Sequence, residues 1–84
     1  MIIQGKIIDK ESKAPIPYIR VKLDNLATPE KENIVSSANF GGDFSFDVPE
    51  GAYQLEIRSP IHEPYTEKIF GPRKLIIELR RIIL

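Results

Sequence analysis

The 84-residue chain contains no cysteine, so disulfides, thiolate metal sites and cysteine nucleophiles are excluded from its chemistry. Histidine is nearly as scarce, with His62 alone. A hydrolytic zinc site needs three protein ligands in tetrahedral geometry, commonly including at least two imidazoles. His62 with Glu63 beside it falls short of that set and reads as loop surface. Serine hydrolysis would need a serine, His62 and a carboxylate to converge, and no Gly-x-Ser-x-Gly elbow is present to present the nucleophile. Surplus charge is absent too. Twelve Lys and Arg balance twelve Asp and Glu, which removes the basic footprint of a nucleic-acid binder or a membrane-surface protein. No apolar run approaches the roughly 18 residues of a membrane span, and Met1 to Lys6 lacks the basic start and apolar stretch of a secretion signal. On this reading the chain is cytoplasmic if it is a complete gene product, and extracellular or periplasmic if it is an excised module. Alanine is rare as well, with four residues against fourteen isoleucines. That imbalance disfavours helix, because β-branched side chains lose rotamer freedom there and pack well on a pleated surface.

Length allows one domain, residues 1–84, with an adequate but thin core. Hydrophobic residues make up 42% of the chain and are spread along it, which favours a packed globule over a disordered tail. Alternation locates the strands, since successive side chains in a strand face opposite ways. Ile3, Gly5 and Ile7 share one face, with a strand end at Asp9. Ile19, Val21 and Leu23 alternate with Arg20, Lys22 and Asp24. Phe44, Phe46 and Val48 point inward from Asp43 to Val48, and so do Tyr53, Leu55 and Ile57 from Ala52 to Ser59. Shorter patterns cover Asn33 to Ala38 and Tyr65 to Phe70. The last segment, Lys74 to Leu84, places Leu75, Ile77 and Leu79 on one face before its alternation breaks at Arg80-Arg81. Strand is preferred there, with helix the alternative.

Turn residues occupy the gaps: Lys10 to Pro17, Asn39-Phe40-Gly41-Gly42, Pro49-Glu50-Gly51, Pro60 to Pro64 and Gly71-Pro72. Seven short strands at this spacing predict an all-β two-sheet sandwich or a small barrel. Phe44, Phe46, Tyr53 and Leu55 are expected to meet across an antiparallel hairpin.

The order of the pieces resembles a known family. The run Ile3-Gln4-Gly5-Lys6-Ile7-Ile8-Asp9, a polar turn, and Ala14-Pro15-Ile16-Pro17-Tyr18-Ile19-Arg20-Val21-Lys22-Leu23 look like the opening of carboxypeptidase regulatory-like domains. The stretch from Gly42 through Phe44, Phe46, Pro49 and Gly51 to Tyr53 and Ile57 resembles the family's glycine turn, aromatic strand, proline-glycine turn and tyrosine strand. Ser36-Ser37-Ala38-Asn39-Phe40 stands where the family often has a threonine-aspartate pair. The resemblance implies a seven-stranded Greek-key sandwich of the prealbumin or immunoglobulin-like type, and a spacer, stabiliser or docking role without catalysis. Hydroxyisourate hydrolases share a similar fold but use several histidines and a C-terminal Tyr-Arg-Gly-Ser motif, whereas this chain ends Arg80-Arg81-Ile82-Ile83-Leu84. Intradiol dioxygenases, also similar in fold, hold iron with paired tyrosines and histidines. Neither set is matched, so no catalytic, metal or cofactor residue is expected. Internal isopeptide chemistry is disfavoured because Lys22 faces outward.

Arg73, Lys74, Arg80 and Arg81 read as a small basic cluster. Ile82, Ile83 and Leu84 place three large apolar residues at the terminus, and at least one must face away from the core if the segment stays extended. Arg80, Arg81, Ile82, Ile83 and Leu84 are therefore the candidate interaction residues, for a protein partner or a second copy, with nucleic acid and membrane excluded. The alternative is a small-ligand or carbohydrate site built from Tyr18, Phe40 and Tyr65.

Overall fold

Each alternating stretch becomes a strand because one of its faces is apolar throughout and needs a second apolar face to bury it. The computed structural model describes residues 1–27 and 33–82. Its seven strands are β1 (Ile2–Asp9), β2 (Arg20–Asn25), β3 (Ile34–Ser37), β4 (Asp43–Asp47), β5 (Tyr53–Ser59), β6 (His62–Ile69) and β7 (Arg73–Leu79). They form a three-stranded sheet in the order β4-β1-β7 and a four-stranded sheet in the order β3-β2-β5-β6. Among the described residues only β1 and β7 pair parallel. The inner faces meet in one core holding Ile3, Ile7, Phe44, Phe46, Leu75 and Ile77 from one sheet and Val21, Leu23, Tyr53, Leu55, Ile57 and Ile69 from the other. The protein is thus the two-sheet all-β sandwich its patterning predicts. Among the described residues there is no helix, and none long and apolar enough to cross a membrane.

Several local expectations change. The hairpin expected between β4 and β5 does not form: β4 pairs with β1, whereas β5 pairs with β2 and β6. Pro49-Glu50-Gly51 carries the chain from one sheet to the other, and the Tyr53 hydroxyl donates to the Pro49 carbonyl at 2.8 Å to hold that crossing. Phe44 and Phe46 therefore share the core with Tyr53 and Leu55 from the opposite sheet, without a shared ladder. The Pro60 to Pro64 turn shrinks to Pro60 and Ile61, because Ser59 pairs with His62 in the first rung of the β5–β6 hairpin. Pro64 is tolerated inside β6 because that strand is a sheet edge. The last segment takes the strand option to Leu79, burying Leu75, Ile77 and Leu79 and exposing Ile76.

Two glycines are demanded by geometry. A β-carbon on Gly5 would lie 2.5 Å from the Leu75 carbonyl oxygen and 2.9 Å from the Phe44 ring. Gly42 has φ of 77°, and a β-carbon there would lie 2.6 Å from the Ile7 carbonyl oxygen. Asn39 organises the turn before it, its Oδ1 accepting from the amides of Gly41 and Asp43, each at 2.9 Å.

Candidate functional site

At one end of the sandwich, four polar side chains from distant parts of the chain converge. Asp9 ends β1, Ser59 ends β5, His62 opens β6, and Arg81 follows β7. His62 is 4% exposed and Asp9 5%, so the histidine is not loop surface. The tight Pro60-Ile61 turn sets His62 on the first rung of β6, and its ring turns toward Asp9. His62 Nε2 lies 2.9 Å from Asp9 Oδ2, and His62 Nδ1 lies 2.9 Å from Ser59 Oγ. Because a carboxylate only accepts, Nε2 carries the proton on the Asp9 side. Arg81 Nε donates to the same Oδ2 at 2.7 Å. The amides of Glu11 and Ser12 donate to Oδ1 at 2.9 and 3.0 Å.

Asp9 thus accepts four N–H groups. The His62 hydrogen bond, then the Ser12 amide and the Arg81 guanidinium, hold its carboxyl well below the usual carboxylate range, against the opposing effect of burial. The same carboxylate raises Arg81 above the ordinary arginine value.

This is the hydroxyl–imidazole–carboxylate convergence that the missing elbow motif argued against. Its wiring suits a clasp. The carboxylate is saturated by donors and neutralised by Arg81, and Ser59 Oγ also accepts from the Ile61 amide at 3.3 Å. The group ties β1 of one sheet to β5 and β6 of the other. Among the described residues, no group of three or more histidine or acidic side chains gathers in a way that could hold a metal ion.

The candidate interaction residues begin at this clasp. The Glu63 amide donates to the Arg80 carbonyl at 2.8 Å, the Ile82 amide donates to the Ile61 carbonyl at 3.0 Å, and Arg81 bridges to His62. The tail therefore extends the edge of β6, and Arg81 is engaged within the fold. Arg80 is exposed, and Ile82 lies beside Ile61 with both exposed. Ile83 and Leu84 fall outside the described residues. The expected basic cluster is not a cluster: Arg73 and Lys74 open β7 while Arg80 and Arg81 follow its end, roughly 23 Å away at strand rise. Arg73 instead faces Glu67 at 3.7 Å.

The loop aromatics divide. Tyr18 and Phe40 meet, their ring centroids 6.2 Å apart and tilted by 58°. Both rings are exposed, at 65% and 76%. The Tyr18 amide donates to the Asn39 carbonyl at 3.2 Å, and Tyr18 sits at φ of 59°, a left-handed conformation that costs an aromatic residue about 1–2 kcal/mol. Tyr65 does not join them. It is half-buried against the core, where burial and then the Glu67 carboxylate push its phenol upward.

A β-sandwich with a buried polar clasp and loop-borne aromatics is a generic module, and comparison with known proteins places it. The chain belongs to the carboxypeptidase regulatory-like domain family, whose model matches residues 2–74. No curated protein matches it. Among solved structures it is similar in fold to one described as "a putative carbohydrate binding protein from Bacteroides uniformis ATCC 8492", with 14% identity and a TM-score of 0.70. That alignment covers 93% of this chain and 40% of the other, so the chain spans less than half the length of its structural neighbour.

Proposed function

We propose that this chain is a noncatalytic β-sandwich module for protein–protein interaction or assembly, docking through its C-terminal segment. The observation that carries the reading is the junction of Ile82 with Ile61. Backbone pairing holds two exposed isoleucines side by side at the end of the sandwich, with Arg80 projecting next to them. Exposed apolar side chains fixed on regular backbone are suited to burial by another surface. The clasp supports the noncatalytic part, since its carboxylate and imidazole are committed to joining the sheets. A second copy of the chain is the partner to test first. Sedimentation equilibrium should show concentration-dependent dimers of the intact chain and monomers of a form ending at Arg81. Monomers for both, with reduced stability on truncation, would mean that the tail serves only this fold.

A second reading, a carbohydrate-binding surface, is favoured by the Tyr18–Phe40 pair. Exposed rings held together by backbone geometry offer apolar faces to a sugar. The structural neighbour's description points the same way, while the likeness itself extends only to fold.

A further inference from the structure

The outer face of the four-stranded sheet breaks the rule for cross-strand charge. In the antiparallel β2–β5 pair, Lys22 lies opposite Glu56 and Val21 opposite Ile57. Arg20 and Arg58 lie one residue beyond this last pair of the ladder and border the same two depressions. Like charges close together on adjacent strands repel, so this end of the face calls for compensation. The nearby carboxylates are already shared. Glu56 Oε1 takes Arg58 Nε at 3.2 Å and Lys22 Nζ at 3.9 Å, and Asp24 takes Lys22 at 3.7 Å. Among the described residues no carboxylate is within ion-pair distance of Arg20. With Lys68, which stands opposite Gln54 on β6, four cations share two acids among the described residues of this face.

Both arginines border two shallow depressions. One, of about 320 Å³, continues to Tyr18 and Pro60, and the other, of about 380 Å³, continues to Asn33 and Val35. Tyr18 therefore borders the same depression as the two arginines. A guanidinium presents a planar fork of N–H donors that matches a carboxylate. An aromatic face suits the apolar face of a pyranose, and depressions of this volume sit at the lower end of small-molecule clefts. We propose that Arg20 and Arg58, beside Tyr18, form a subsite for the carboxylate of an acidic saccharide of the uronic acid class. The inference rests on the carbohydrate reading above and adds the charge of the ligand to it.

Calorimetric titration of the intact chain with an oligogalacturonate, and with a neutral galacto-oligosaccharide of equal length, tests it. The acidic sugar should bind about tenfold or more tightly than the neutral one. Arg58→Gln and Arg20→Gln should each cut acidic-sugar affinity about tenfold and so reduce its advantage over the neutral sugar, since a lost charge-assisted contact is worth about a tenfold change in affinity. Tyr18→Gly should weaken both sugars. Both arginines are exposed, so these variants keep the wild-type circular dichroism spectrum. Equal affinity for the two sugars, indifferent to the arginine changes, would overturn the inference and leave the carbohydrate reading standing. Binding of neither sugar would overturn both. Binding of the acidic sugar that acetate or phosphate displaces equally well, and that Tyr18→Gly leaves unchanged, would reduce the site to a simple anion patch and overturn the saccharide assignment.

Discussion

Phe46 lies on the inner face of β4, opposite Ile3 of β1 and edge-on to Phe44 at a centroid distance of 6.1 Å. It is 4% exposed, so truncation would open a void that two rigid sheets cannot easily close. Phe46→Ala should cost about 3–5 kcal/mol in urea melts, most of the stability expected of a small domain near the low end of about 5–15 kcal/mol. A loss below about 1 kcal/mol would mean that the site is peripheral. Position 46 was legible in the sequence because burial on a one-sided strand follows from period-2 alternation, a local property. His62 was not. Pro60, Ile61, Glu63 and Pro64 around it form no one-sided alternation, and its buried partner is Asp9, 53 positions away in sequence. The Asn39-Phe40-Gly41-Gly42 turn was legible too, because asparagine and glycine are local turn signals.

Elements meet where their ends must be secured. β1, β5 and β6 end together at the Asp9 clasp, and its electrostatics give it a dependence on pH. Asp9 has a lower pKa in the fold than in the unfolded chain, where a carboxyl near 3.9 is usual. Between the two values the unfolded chain binds more protons, so stability falls as pH falls. The contribution is complete above about pH 5 and is lost progressively below about pH 4, down toward the native value. Glu78, lowered by its contact with Lys13, acts with the same sign. Asp9→Asn should reduce stability at neutral pH and flatten the loss between about pH 5 and pH 3. Parallel pH profiles for the two proteins would remove Asp9 from this role. The clasp also shows why strand positions were easier to foresee than strand partners. The Pro49-Glu50-Gly51 turn looks locally like a hairpin turn, but the open edges of β1 and β2 were filled by β4 and β5 respectively, which sent the chain across the sandwich.

At the scale of the whole molecule neither sheet can stand alone. The three-stranded sheet buries Ile3, Phe44, Phe46, Leu75 and Ile77 against the other sheet, and this shared core should make unfolding a single cooperative event. Thermal melts followed by far-ultraviolet circular dichroism and by tyrosine fluorescence should coincide, and separated transitions would show that the sheets melt independently. The surfaces on which the proposed functions rest are ones that no local pattern announces. Tyr18 and Phe40 are distant in sequence and meet because the Tyr18 amide reaches the Asn39 carbonyl. Arg20 and Arg58 come to border the same depressions because β2 pairs with β5. From the sequence alone came the all-β class, the strand faces and the family, because alternation, β-branching and turn residues act over a few positions. Which strands pair, the burial of His62 with Asp9, and the placing of charges and rings on common faces were decided by tertiary structure, because each depends on contacts between residues far apart in the chain.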